Sequence, residues 1–197
     1  MRVIIDVTNE KGLVGLITVL QGEFSAEVIA PDDTAIMLEE AGLNVIKVST
    51  YTNSTGVMGG RIDVLNPRIF GGVIGREEDR EALNECSIPL IDYVIANLQT
   101  KSGDHLEEEA RDVGVGRAAL IHAGAMNDRV VVVCNPGNYR GIIRELLEKK
   151  GVISDESRYG LAELAIQHVA RYELAALKYL KGIRPDTQEY QVRTLLR

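Results

Sequence analysis

One stretch of this chain places a cation and an amide between two pairs of glycines, beside an X-Pro bond. Its residues of interest are Gly59, Gly60, Arg61, Asn66, Pro67, Gly71 and Gly72. Glycine tolerates positive φ and lets another backbone or a ligand approach closely. The residue before a proline is held in an extended or turn conformation. The stretch therefore predicts a loop of fixed shape, which could form the floor of a pocket or a structural crossover between two strands.

A second segment offers the residue types of acid–base chemistry. Asp112 precedes a glycine-rich turn, and Arg117 and His122 follow that turn, in and just before a small-residue helix predicted over 118–125. Asp112 could serve as a general acid or base, and Arg117 could clamp an anion at the start of the helix. The alternative is a helix cap with exposed charges, with His122 packed among alanines.

The elements around these segments alternate between strand and helix, which predicts a parallel α/β sheet. Apolar runs predict strands at 3–7, 26–30, 43–48, 72–75, 90–96 and 129–134. Apolar periodicity predicts helices over about 11–20, 32–41, 76–86, 118–125, 142–150 and 155–180. Asp32 or Asp33 is the predicted N-cap of the second helix, because an acid there suits the helix dipole.

The last predicted helix carries one continuous stripe with spacings of four and three residues. The stripe consists of Leu161, Ala165, His168, Tyr172, Ala175 and Tyr179. Because His168 lies on this stripe, we predict a packed and hydrogen-bonded histidine and not a ligand to a metal or substrate.

Composition excludes several classes of protein. The net charge of −7 and the absence of a basic patch in 197 residues argue against a nucleic-acid or membrane surface. Cys86 and Cys134 are far apart, and the three histidines show no metal-ligand spacing, so neither a metal site nor a cofactor is predicted. The N-terminus enters a strand directly, which predicts a cytoplasmic protein. We expect one domain over 1–181 and a C-terminal arm over 182–197.

Four segments, taken in order, are similar to segments of one enzyme family. The opening D-V-T-N-E-K-G-L-V at 6–14 resembles S-V-S-D-K-T-G-L-V. The central G-R-I-D-V-L-N-P-R-I-F-G-G at 60–72 resembles G-R-V-K-T-L-H-P-K-I-H-G-G. Asn97-Leu98 resembles the start of N-L-Y-P-F, and the strand after Asn127 resembles the valine strand after K-N-H. The chain thus resembles the IMP cyclohydrolase domain of the bifunctional enzyme AICAR transformylase/IMP cyclohydrolase.

The resemblance implies a methylglyoxal-synthase-like α/β fold with three layers, a mainly parallel sheet flanked by helices, and a long C-terminal helix. It implies a cytoplasmic homodimer without a cofactor, with the 161–179 stripe as part of the interface. Its ligand would be a small molecule, a purine nucleotide or a precursor of one, and its reaction the ring closure of formyl-AICAR to IMP. The chain ends at Arg197, about where the family continues into its transformylase half, so formyl transfer is not expected.

The resemblance also implies a set of site residues. The catalytic candidates are Arg61, Asp112 and Asn127. The substrate-binding candidates are Thr8, Asn9, Lys11, Thr34, Asn66, Gly71, Gly72 and Asn97.

The chain departs from the family at the phosphate site. Relatives hold the phosphate with an S-G-G-T turn at a helix N-terminus and with the lysine of S-D-K-T-G. Here the turn is Pro31-Asp32-Asp33-Thr34, and Glu10 replaces the lysine. Proline has no N–H, and at an effective dielectric near 20 a carboxylate about 5 Å from a phosphate costs roughly 3 kcal/mol. These substitutions predict a ligand without a phosphate.

The catalytic positions differ as well. Asp63, Gln99 and Met126 stand where the family has lysine, tyrosine and lysine, and neither glutamine nor methionine shuttles protons at neutral pH. Three interpretations therefore stay open. The first is an IMP cyclohydrolase with a rearranged set of residues. The second is a non-catalytic relative that binds a non-phosphorylated small molecule or acts as a partner subunit. A methylglyoxal synthase ranks third, because it needs a phosphate turn too.

Overall fold

Five short parallel strands form a single sheet in the computed structural model, which describes residues 1–54, 62–98 and 114–182. The strands are β1 (Arg2–Asp6), β2 (Glu27–Ala30), β3 (Ile46–Lys47), β4 (Tyr93–Ala96) and β5 (Val131–Val133). Their order in the sheet is β3-β2-β1-β4-β5, and all four neighbouring pairs are parallel. The predicted α/β fold class is confirmed.

Helices cover both faces of this sheet and make the outer two layers. They are α1 (Leu13–Phe24), α2 (Asp32–Glu40), α3 (Val48–Thr52), α4 (Pro67–Ile74), α5 (Arg80–Glu85), α6 (Val115–Ala125), α7 (Tyr139–Glu148) and α8 (Asp155–Gly182). Side chains alternate between the two faces along each strand. In β1, Val3 and Ile5 therefore join the core under α1, α2 and α7, whereas Ile4 joins the core under α3, α4 and α6.

The long helix α8 contributes to both cores. Its first turns bring Leu161 to one core and Ala165 to the other. Farther along, Leu174, Leu177 and Leu180 are exposed. The homodimer implied by the resemblance stays a prediction. The predicted arm over 182–197 lies outside the described residues after Gly182.

Three predictions about the elements are wrong. Residues 72–75 do not form a strand, because Asn66 caps a helix there: its side chain accepts a bond from the backbone N–H of Arg68, and Pro67 takes the first helical position. The predicted third strand shrinks to Ile46–Lys47, which lies at the sheet edge and pairs only with β2. Neither Asp32 nor Asp33 caps α2, since Pro31 occupies that position.

Strand order places a topological switch point between β1 and β4. From β1 the chain proceeds outward to β2 and β3, whereas β4 lies on the other side of β1 and leads to β5. Open α/β sheets bind ligands outside the carboxyl ends of the strands at such a switch point. We call this place, made by residues 6–12 and 96–98, the β1–β4 crevice.

Within the described parts of the chain, every helix is too short or too polar to cross a lipid bilayer.

Candidate functional site

The side chain of Asn97 joins the two turns of the β1–β4 crevice. Its Oδ1 accepts bonds from the backbone N–H groups of Thr8 and Asn9, both at 2.9 Å, and from the Thr8 hydroxyl at 3.0 Å. Its Nδ2 donates to the carbonyl of Asn9 at 3.0 Å. Asn97 is only 4% exposed, whereas Thr8 is exposed and Asn9 is half-buried, so these bonds join the interior of the protein to its surface. The structure thus brings together three of the predicted substrate-binding residues.

The turn after β1 is held by its own backbone as well. Asn9 Oδ1 accepts a bond from the N–H of Lys11 at 3.1 Å, and the N–H of Leu13 donates to the carbonyl of Glu10 at 3.0 Å. Gly12 has φ of 77°, a left-handed conformation that favours glycine. The side chains of Glu10 and Lys11 are exposed at this turn, so one acid and one base both face solvent beside the crevice.

A largely buried ion pair lies at the carboxyl end of β1. Asp6, the last residue of β1, is 6% exposed, and its Oδ1 accepts bonds from Arg117 Nε at 2.7 Å and Nη2 at 2.5 Å. Burial raises the pKa of Asp6, Arg117 opposes that rise, and the charge of Asp63 adds to it. The crevice therefore holds a carboxyl group that takes up a proton more readily than an ordinary aspartate.

Sequence reasoning did not select Asp6. The one available signal was a charged residue at the end of an otherwise apolar strand. For Arg117, the expectation of an exposed charge is wrong, because its side chain is mostly buried against Asp6. His122 on the same helix is exposed, so the prediction that it packs among alanines is wrong too.

The turn after β2 presents two acids at the start of α2. The two carboxylate oxygens of Asp32 accept bonds from the Ser49 hydroxyl at 2.9 and 3.0 Å. Asp32 and Asp33 are exposed, and Thr34 is buried in the first turn of α2. The Asp32 carboxylate thus adds a negative charge in the first turn of α2, where it is bonded to Ser49 and not to the N–H groups of the helix.

Asn66, Gly71 and Gly72 lie on helix α4 and its cap. A Cβ at Gly72 would come within 2.7 Å of the carbonyl oxygen of Pro89, and one at Gly71 would come within 3.2 Å of the Ile88 side chain. Both glycines let α4 pack closely against the chain that leads into β4.

We predict that Gly72→Ala lowers the free energy of unfolding by about 2 kcal/mol, because its Cβ would collide with a backbone oxygen that cannot move aside. Gly71→Ala, one residue away, meets only a flexible side chain and should cost less than half as much. Gly22→Ala on α1 has open space around it and should stabilise by about 0.5 kcal/mol. Urea unfolding checks the series, and equal costs at positions 71 and 72 would contradict it.

Asn127 lies just before β5, at the amino ends of the strands, whereas Asn97 lies at their carboxyl ends. Its Nδ2 donates to the carbonyls of Val73 at 2.8 Å and Gly75 at 3.1 Å, and its Oδ1 accepts from the N–H of Arg129 at 3.1 Å. The structure therefore separates Asn127 from the Asn97 cluster and uses it to join the end of α4 to β5. Met126 beside it is exposed.

Two catalytic candidates, Arg61 and Asp112, lie outside the described residues, as does Gln99.

The structure confirms that His168 is packed and hydrogen-bonded. The histidine is half-buried on α8, and its Nε2 accepts a bond from the backbone N–H of Leu98 at 2.8 Å. In the parts of the chain that the structure describes, no three histidine, cysteine or acidic residues cluster as metal ligands would.

A cleft of about 330 Å³ opens at the amino edge of the sheet, away from the β1–β4 crevice. Two of the residues that line it, Glu27 and Glu39, are paired with Arg2 and Lys47. We place the candidate site in the crevice instead, because switch-point geometry and the Asn97 cluster coincide there.

Comparisons with known proteins bear on the whole chain. A family model described as AICARFT/IMPCHase bienzyme matches residues 124–196. The bifunctional purine biosynthesis protein PurH of Trichormus variabilis is 34% identical over 194 residues, which cover 93% of this chain and 38% of that protein. PurH of Nostoc punctiforme is 33% identical over 201 residues, which cover 95% of this chain and 39% of that protein. The chain thus spans less than two fifths of the length of these relatives.

A solved structure, the crystal structure of ForH, has the same fold. The two superpose with a TM-score of 0.81 over 90% of this chain and 97% of that one, at 24% sequence identity.

Proposed function

Since this chain is an IMP cyclohydrolase-like relative of the PurH proteins of purine biosynthesis, we propose that it binds a purine nucleotide or a purine precursor in the β1–β4 crevice. The activity we propose there is the ring closure of formyl-AICAR to IMP. The observation that carries the proposal is the Asn97 cluster, which fixes Thr8 and Asn9 at the switch point of the sheet.

Ring closure makes three demands on a site. The carboxamide nitrogen must lie against the formyl carbon, donors must stabilise the oxygen of the adduct, and protons must reach that oxygen so that it leaves as water. The Asn97 cluster supplies a rigid wall for positioning. Arg117 supplies a cation, and Asp6, whose pKa burial raises, supplies a carboxyl group that can hold a proton. These two residues support the cyclohydrolase interpretation although the lysine and tyrosine positions have changed.

The direct test is an ultraviolet assay of formyl-AICAR conversion to IMP by the purified protein. We expect turnover above the uncatalysed rate and a loss of at least about a hundredfold in Asp6→Asn, which cannot transfer the proton. Absence of turnover in the unmodified protein would refute the ring-closing activity.

A second candidate is a non-catalytic relative whose ligand has no phosphate. The observation that favours it is the acidic turn, where the exposed Asp32 and Asp33 and the proline at the cap oppose a phosphate at the start of α2. Under this candidate the crevice binds the riboside of a purine precursor more tightly than its monophosphate.

We predict that Asp32→Ser with Asp33→Gly raises the affinity for AICAR monophosphate, the ribonucleotide from which formyl-AICAR is made, at least about tenfold. The double variant removes two negative charges from the position of the phosphate. Affinity for the AICAR riboside should stay within about twofold. Glu40→Ser, a charge removal at the other end of α2, serves as the control and should change neither affinity. Calorimetric titration gives both constants, and a double variant without preference for the monophosphate would contradict the electrostatic argument.

A further inference from the structure

One hydrogen bond connects the long helix α8 to the β1–β4 crevice. His168 Nε2 accepts from the backbone N–H of Leu98 at 2.8 Å, although 70 residues separate the two in sequence. Leu98 is 7% exposed and follows Asn97 directly. Since β4 ends at Ala96, the N–H of Leu98 has left the sheet ladder and depends on this imidazole.

The bond requires a neutral imidazole. A ring nitrogen that accepts from an N–H carries no proton of its own, so Nε2 must be deprotonated and the remaining ring proton must lie on Nδ1. Protonation of Nε2 would place two donors against each other and break the bond. The position of Leu98, and through it that of Asn97, is thereby tied to the charge of His168.

We propose that His168 is a positioning residue of the crevice: its neutral imidazole fixes Leu98, and through it the Asn97 side chain that holds Thr8 and Asn9, and protonation at acidic pH releases this hold. The hold of His168 on Leu98 is a property of the fold and does not depend on which ligand binds. The consequence for ligand binding rests on the proposed function.

The charges around His168 favour its neutral form. Arg171 lies one turn along the same helix, and burial together with this cation lowers the pKa of His168 below its ordinary value of 6.5. Of the elements that pack against α8, strand β5 carries no charged residue, and helix α6 carries Arg117, paired with Asp6, and the exposed His122. Strand β4, which leads into Leu98, is uncharged.

The sign of the pH dependence follows from this lowered pKa. A histidine with a depressed pKa binds fewer protons when folded than when unfolded. Its stabilising contribution is therefore complete above pH 6.5, the ordinary value, and is lost as the pH falls from there through the lowered folded pKa.

Two variants separate the hydrogen bond from the charge. His168→Gln places an amide oxygen near the position of Nε2, which can accept from Leu98 but cannot be protonated in this range. His168→Leu keeps the volume and removes the acceptor. His122→Gln is the matched control, because that histidine lies on α6 and is exposed to solvent.

Hydrogen exchange at the Leu98 amide, followed between about pH 8 and pH 5 and corrected for intrinsic rates, is the direct readout. We expect protection in the unmodified protein that falls at least about tenfold on acidification. Protection should be low at every pH in His168→Leu, present and independent of pH in His168→Gln, and unchanged from the unmodified protein in His122→Gln. Full protection of Leu98 in His168→Leu, or the same pH dependence in His168→Gln as in the unmodified protein, would overturn the proposal.

The consequence for ligand binding is measured by titration with two probes, the AICAR riboside and AICAR monophosphate. Weakened binding at acidic pH in the unmodified protein, restored in His168→Gln, supports the positioning role. If neither probe binds at any pH while the Leu98 results hold, the proposed function fails and the positioning of Leu98 stands. If a probe binds equally at all pH values, the role in ligand binding is refuted.

Discussion

Asn97→Ala is expected to lower the free energy of unfolding by about 3 kcal/mol and to abolish ligand binding in the crevice. The alanine removes one acceptor of three bonds and one donor, and it leaves the partly buried backbone N–H groups of Thr8 and Asn9 without their partner. A typical intramolecular hydrogen bond contributes about 0.5–1.5 kcal/mol, and this change removes all four bonds of the Asn97 side chain. Urea unfolding measures the loss of stability, and titration with the AICAR riboside measures the loss of binding.

The chain contains a matched control for this change. Asn135 follows β5 as Asn97 follows β4, but its side chain is exposed and accepts a single bond, from the N–H of Gly137 at 2.8 Å. Asn135→Ala should cost less than about 1 kcal/mol and leave ligand binding intact. Equal costs for the two alanine variants would mean that the Asn97 bonds do not hold the crevice together.

Arg117→Met is expected to destabilise the protein by about 3–5 kcal/mol, because it leaves the carboxylate of Asp6 buried without its partner. Asp6→Asn combined with Arg117→Met removes both charges and should recover more than half of that loss. Arg80→Met, which breaks an exposed pair with Glu77, is the control and should stay within about 1 kcal/mol.

The cost of Arg117→Met should also depend on pH. The pKa of Asp6 is already raised by burial, and loss of the cation that opposes this effect must raise it further. A carboxyl group with a raised folded pKa contributes stability below its unfolded value of 3.8, and this contribution is lost as the pH rises through the folded pKa. The variant should therefore be more destabilised at neutral pH than in mild acid. A cost that grew on acidification would contradict the burial of an unpaired carboxylate.

The spacing of apolar residues in the sequence identified the strands and helices that bury one face or both faces in the core. Strands β4 and β5 are apolar runs buried on both faces, and such runs are read reliably from sequence. Helix α4 was missed because its two glycines weaken helical propensity, and only the Asn66 cap with Pro67 behind it marks the start. A strand was therefore predicted at 72–75, although Asn66 and Pro67 mark the start of a helix that includes most of this segment.

The candidate site could be predicted only in part, because sequence shows which residues follow a strand but does not show which distant segments pack together. Asn97 and Thr8 both follow strands, and parallel strands bring their carboxyl ends to one edge. Asn127 precedes β5, so it lies at the amino ends of the strands, on the opposite side of the sheet from Asn97. A motif resemblance does not show at which end of the strands a residue lies. Asp6 and Arg117 are 111 residues apart, and no local pattern indicates that the end of β1 packs against the start of α6.

Ligand binding in the β1–β4 crevice is tested most directly by hydrogen exchange with and without a saturating purine ligand. With IMP, the AICAR riboside and AICAR monophosphate as separate probes, we expect slowed exchange in residues 6–12 and 96–98 for at least one of them. Slowed exchange confined to residues 43–46, which line the cleft at the amino ends of β2 and β3, would place the site elsewhere and contradict binding in the crevice.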